Sequence, residues 1–229
     1  MKKKQQFGKH ALVLLATGLL MNANTYGQVS TNPTSSQTVT GAAQTPTQGR
    51  ENRQSKSDKS SLIMQPIMHM LDQMKSAKKT GDPDMDYVTL IKIHHQAQLA
   101  LAQQAVKNGQ NTQVIDKAKA LISEEEKAIA DLNNITKNLR AGSSNSAFQQ
   151  QTDQKLKALD IEVQKNNNNT MSGNFDQDYL NVLRQQYQNG FDLSQDYLQY
   201  GKHQELIGHA QRMVTQNKQE MESLKDLIK

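Results

Sequence analysis

The chain has 229 residues, of which 35% are hydrophobic and 4% aromatic, enough apolar material for one domain with a modest core. It contains no cysteine, which excludes disulfides, thiolate metal ligands and a cysteine nucleophile. The formal net charge of +5 comes mostly from Lys2, Lys3, Lys4 and Lys9 in a stretch without acids, so it does not point to nucleic acid.

Those lysines precede "ALVLLATGLL", residues Ala11 to Leu20, an apolar run too short to span a bilayer. Small and polar residues follow, up to "NTYGQ". The pattern predicts a signal peptide over residues 1–27, cleaved after Gly27. No Cys follows the apolar run, so no lipoprotein anchor is expected. The mature chain is predicted to be periplasmic or secreted, without stable membrane insertion. Residues 28–61 are rich in Ser, Thr, Gln, Asn and Gly with almost no bulky apolar side chain. Such a segment cannot offset its ordering entropy by burial, and the composition predicts a disordered linker.

From Leu62 onward the chain repeats itself. "GDPDMDYVTLIKIHHQAQLALAQQAVKNG" from Gly81 aligns without a gap with "GNFDQDYLNVLRQQYQNGFDLSQDYLQYG" from Gly173. Gly81, Asp84, Asp86, Tyr87 and Gly109 meet Gly173, Asp176, Asp178, Tyr179 and Gly201. The spacing predicts two copies of a three-helix unit, residues 62–141 and a degenerate 146–229. Asp82 is an N-cap signal with Pro83 in the first helical position, and Asn174 takes the cap role in the second copy. Asp84 and Asp86 suit the positive end of a helix dipole, and Gly109 and Gly201 each mark a helix end. No segment alternates as a strand would, so the fold class is all-α, an antiparallel bundle of two related halves.

A helix turns about 100° per residue, which assigns faces from spacing. Tyr87, Leu90, Ile91, Leu101, Ala102 and Ala105 form one apolar stripe, with His94 and Gln98 inside it and His95 on its flank. On the next helix Val114, Ala118, Leu121, Ile122, Ile129 and Leu132 form a stripe that contains Glu125. A carboxylate there is costly unless it is paired or bound to a cation. On the first helix Met64, Met70 and Met74 share a face with Ile67 and Leu71, with Met68 at its edge. His69 points away, and His203 and His209 are expected at the surface. At the aligned positions of the second copy His94, His95 and Glu125 become Gln186, Tyr187 and Asn217. The scaffold can therefore lack the ionisable trio, which favours a local role for it. The alternative is a pair of hydrogen-bonded core histidines beside a paired carboxylate.

"GDPDMDYVTLIKIHHQAQLALA", preceded by the Met-rich helix and followed by "AKALISEEEKAIADL", resembles the exported family called domain of unknown function 305, over about Met64 to Ile135. That family includes CopM-like copper-binding proteins and is similar to ferritin-like helical bundles. The resemblance implies a ferritin-like fold and a metal site of His94 and His95 with Met64, Met68 and Met70, to which Glu125 and a supporting Gln98 would be added. Leu101 and Leu132 stand where the pattern carries Met, and Glu125 where it carries Gln. The second half, in "FDQDYLNVLRQQYQNGFDLSQDYLQYGKHQELIGHAQRMV", is also similar to domain of unknown function 4142.

No phosphate loop, serine elbow or paired Glu-x-x-His motif occurs in the sequence, so no enzymatic activity is expected. The reading that follows is an exported bundle that binds a metal ion, copper first, for sequestration or transfer. The alternative is a metal-free module that packs against an envelope protein.

Overall fold

The computed structural model describes residues 48–169 and 171–228; the expected signal peptide and the linker as far as residue 47 lie outside the described residues. Six helices run in order: α1 (Gln48–Ser76), α2 (Pro83–Asn108), α3 (Thr112–Asn138), α4 (Ser146–Asn169), α5 (Phe175–Tyr197) and α6 (Gln204–Ser223). The described residues contain no strand, and none of their helices is long and apolar enough to cross a membrane. The chain is an all-α helical bundle.

One boundary differs from the sequence expectation. α1 begins at Gln48, inside the segment that composition predicts to be disordered. Scarcity of apolar residues argues against packing, but it does not stop a helix from propagating. Gln, Arg, Glu and Lys are good helix formers, and extension from an established helix carries no new nucleation cost. Pro66 consequently lies inside α1.

The turns before α2 and α5 are built alike. Gly81 and Gly173 adopt φ of 79° and 90°, a left-handed conformation that favours glycine. Asp86 then reaches back to its own turn, accepting from Thr80 N and Thr80 Oγ1 at 2.7 Å and from Gly81 N at 2.8 Å. Asp178 does the same with Ser172 N, Ser172 Oγ and Gly173 N at 2.7, 2.8 and 3.0 Å. Asp82 and Asn174 cap the two helices by accepting from Met85 N and Gln177 N.

The remaining first-turn acids work across the bundle. Asp84 accepts from Lys202 N and His203 N at the start of α6, and from the Tyr197 hydroxyl at 2.6 Å. Asp176 accepts from Gln110 N and Asn111 N at the start of α3. Each inner helix thereby supplies a carboxylate to the orphan N–H groups that open the opposite outer helix. The arrangement pins α2 antiparallel to α5. α3 packs on α2 and α6 on α5, while α1 packs on both inner helices and α4 packs on α5 and α1.

Two apolar clusters result. Met64, Met70, Leu101, Tyr179 and Leu183 belong to the larger; Tyr87, Ile91, Leu132, Leu206 and Met213 belong to the smaller. Between the two sets in sequence fall His94 and His95 of α2 and Glu125 of α3, while Gln98 of α2 and Gln186 of α5 lie among residues of the larger cluster; all five are buried.

Replacing either back-reaching carboxylate removes three accepted hydrogen bonds from one turn. Asp86→Ala and Asp178→Ala are each expected to lower unfolding stability in urea by about 2 kcal/mol. A loss of less than about 0.5 kcal/mol in both would contradict this account of the turns.

Candidate metal centre

α3 and α6 flank a cavity of about 190 Å³, with His95 of α2 and Tyr187 of α5 among its lining. Glu220 of α6, which lines it, forms an ion pair with Lys117 of α3. Glu125 lines it from α3, and His209 and Met213 line it from α6.

His95 lies at the centre of the polar arrangement. Its Nδ1 is 2.5 Å from Glu125 Oε2, and its Nε2 is 3.3 Å from Nε2 of His209. Nδ1 of His209 is 3.3 Å from the Tyr87 hydroxyl, which is 3.0 Å from Ser194 Oγ. Tyr87 in turn stacks on Tyr197 with ring centroids 4.0 Å apart. Glu125, His95, His209, Tyr87 and Ser194 thus form one buried chain running from α3 through α2 and α6 to α5. With Glu125 protonated, its O–H donates to His95 Nδ1 and His95 Nε2–H faces His209; with Glu125 ionised, His95 Nδ1–H donates to the carboxylate and Nε2 becomes a bare acceptor facing His209.

Burial dominates the electrostatics. It pushes His95 down to about 4 and, together with repulsion from His95 and Arg212, His209 down to about 3. It pushes Glu125 up to about 8. Neutral imidazoles at neutral pH are the form that binds metal ions.

His94 does not join His95. The two rings meet edge-on at 79°, with centroids 6.0 Å apart, because adjacent residues on a helix diverge in direction. His94 Nε2 donates instead to the Gln186 carbonyl at 3.0 Å. Its ring packs so closely on α5 that a Cβ on Gly190 would lie 2.8 Å from His94 Cε1 and 2.7 Å from Asn217 Nδ2. Gln98 is buried, and its Nε2 has no hydrogen-bond partner among the described residues.

The thioethers also fall elsewhere. Met64 and Met70 are buried in the larger apolar cluster and Met68 packs against it; none of the three lines the cavity that holds His95 and Glu125. The sulfur side chain that does so is Met213, one turn beyond His209 on α6. His209, expected at the surface, is 5% exposed. The signal for it was present: Leu206, Ala210, Met213 and Asn217 share its stripe at helical spacing. His69 is exposed, as the spacing predicts. Among the described residues no group of three or more His, Cys, Asp or Glu is arranged to hold an ion. A site here must rest on the two histidines with help from sulfur or solvent.

The sequence matches the family described as Domain of unknown function (DUF305) over residues 84–228. The chain belongs to that family. None of the curated proteins and none of the solved structures compared with it matches. The DUF305 match extends well past Ile135 through α6, so it takes in His209 as well as His95, and it leaves α1 and its methionines outside.

The pKa shifts set a pH profile for the metal-free protein. Three histidines held neutral below their ordinary 6.5 make unfolding, which lets them protonate, easier as pH falls from about 6.5 towards 4. Glu125, held protonated above its ordinary 4.5, favours the folded state most at low pH and loses that contribution as pH rises towards 8. Between 4.5 and 6.5 the three histidines outweigh the one acid. Urea midpoints should therefore peak near neutrality, and Glu125→Gln should flatten the fall between pH 6.5 and 8 while keeping the acid limb. A midpoint that rises steadily to pH 8 in the wild-type chain contradicts this assignment.

Proposed function

We propose that this DUF305 protein is exported and binds one metal ion, copper before zinc, between His95 and His209, without catalysing a reaction. The carrying observation is the Nε2–Nε2 separation of 3.3 Å. Two nitrogens about 2.0–2.1 Å from one tetrahedrally bound ion stand about 3.3 Å apart, so this spacing fits a shared ion without repacking. Glu125 on His95 Nδ1 and Tyr87 on His209 Nδ1 would fix both rings with Nε2 inward, the usual support for a metal-binding imidazole. An ion would also favour ionised Glu125 by attraction. Met213 supplies a nearby thioether, and the pairing of imidazole with thioether suits copper. His94 and the α1 methionines have no part in this reading.

Export rests on the basic and apolar start of the sequence. Sequestration or transfer of the ion fits a small cavity between two outer helices. The matching turns at Asp86 and Asp178, with the crosswise pairing of Asp84 and Asp176, support origin by tandem duplication on a ferritin-like plan.

The rival reading is a metal-free module that docks on an envelope protein. In its favour, the chain from Glu125 to Ser194 can be completed by protons alone, with no ion.

Calorimetric titration of the mature chain with Cu(I), Cu(II) and Zn(II) separates the two. One site, tightest for copper, should weaken at least about 100-fold in His95→Ala and in His209→Ala, and change little in His94→Ala. Heats unaffected by both of the first two substitutions would leave the metal-free module as the better account.

A further inference from the structure

Gly190 lies buried in the interior of α5, a place where glycine weakens a helix relative to alanine. Its backbone does not call for glycine, since the positive-φ glycines among the described residues are Gly81 and Gly173. Space does. A Cβ on Gly190 would lie 2.7 Å from Asn217 Nδ2, 2.8 Å from His94 Cε1 and 3.1 Å from Met213 Cε, where ordinary contact starts at 3.4 Å. The three groups come from two other helices, α2 and α6. At the aligned position α2 carries the buried side chain of Gln98, so the notch is cut into α5 alone.

The notch sets how closely α2 and α6 approach. His94 is not free to swing away, because its Nε2 donates at 3.0 Å to the Gln186 carbonyl, which is also the helical acceptor for Gly190 N–H. Met213 and Asn217 share one buried face of α6 with His209, at steps of four residues. His94 Nδ1, Asn217 Nδ2, Asn189 Nδ2 beside the notch and Gln98 Nε2 one turn from His94 have no hydrogen-bond partner among the described residues. Apart from the bond to Gln186, this seam is therefore held by shape rather than by polar pairing. A helix-interior glycine and four unpaired buried polar atoms are costly for the fold, which points to a role in placement. His95 follows His94 on α2, and His209 precedes Met213 by one turn on α6. The 3.3 Å between their Nε2 atoms inherits the spacing that the notch allows.

We infer that Gly190 is a positioning residue for the His95–His209 pair: having no side chain, it lets α2 and α6 close on one point of α5, at the separation a shared ion needs. A methyl there would drive His94, Met213 and Asn217 back by about 0.3–0.7 Å. A bound ion holds its ligand distances to within about 0.2 Å. The consequence for metal affinity rests on the proposed metal site, whereas the seating of the two rings does not.

Gly190→Ala is the test, read in the metal-free full chain by nitrogen-15 imidazole spectra and then by calorimetric titration with Cu(I) and Zn(II). The His95 and His209 Nε2 resonances should move, and both affinities should fall by at least about 10-fold. Gly208→Ala is the control. It lies next to His209 in the chain, but a Cβ there would meet only Arg212 Nη1, at 3.6 Å, so both readouts should keep their wild-type values. Gly190→Ala/Asn217→Ala removes the closest of the three contacts and should recover part of the loss. If the single variant does not fold, this double variant carries the test, and it should bind more weakly than Asn217→Ala alone. The inference is overturned if Gly190→Ala leaves either the resonances or the affinities unchanged, or if Gly208→Ala changes them as much. A wild-type chain that takes up neither ion would sink the metal site, and the metal-free resonances would still decide whether Gly190 seats the pair.

Discussion

The cost of taking His95, Glu125 and His209 out of water governs this molecule. Each is at most 5% exposed, and an isolated charge so placed is expensive. The bundle meets that cost by linking them, so that the carboxylate holds one nitrogen of His95 and a second imidazole faces the other. The linkage also fixes tautomers. Rings held at Nδ1 present Nε2, and two such nitrogens aimed at each other need a proton or an ion between them. The functional reading comes from that requirement.

The scaffold makes the arrangement reproducible. α2 and α5 cannot slide past one another without breaking the contacts of Asp84 to the start of α6 and of Asp176 to the start of α3. These contacts set the level at which His94 meets Gln186 and at which α6 delivers His209 to His95. With α3 and α6 kept apart by the cavity, the chain of polar groups has one open side, where Arg212, Glu220 and Lys127 gather. An ion could enter there without opening the helix pair beneath.

Much of this was legible in the sequence because it depends on local rules. Asp82, Pro83 and Asn174 announce helix starts through side-chain capping, and period-3.6 stripes placed His94, His95, Gln98 and Glu125 inside. The pairing of His95 with Glu125 was within reach for the same reason, since antiparallel neighbours align by level. His209 was misplaced by analogy. It aligns with Lys117, and a lysine there reads as outward, whereas the stripe of Leu206, Ala210 and Met213 around it is the better guide. The convergence of His94 with His95 failed on helix geometry alone. The family resemblance implied the methionines of α1 as soft ligands, yet a thioether is also a good core filler, and in α1 Met64 and Met70 are buried in the larger apolar cluster. The start of α1 escaped because composition reports packing rather than helix extension.

Copper-edge X-ray absorption of the Cu(I)-loaded full chain tests the central claim most directly. Two imidazole nitrogens at about 2.0 Å, with the outer-ring scattering that identifies histidine, are the predicted first shell, falling to one imidazole in His209→Ala. A spectrum without imidazole scattering, or one unchanged in that variant, would contradict an ion held between His95 and His209.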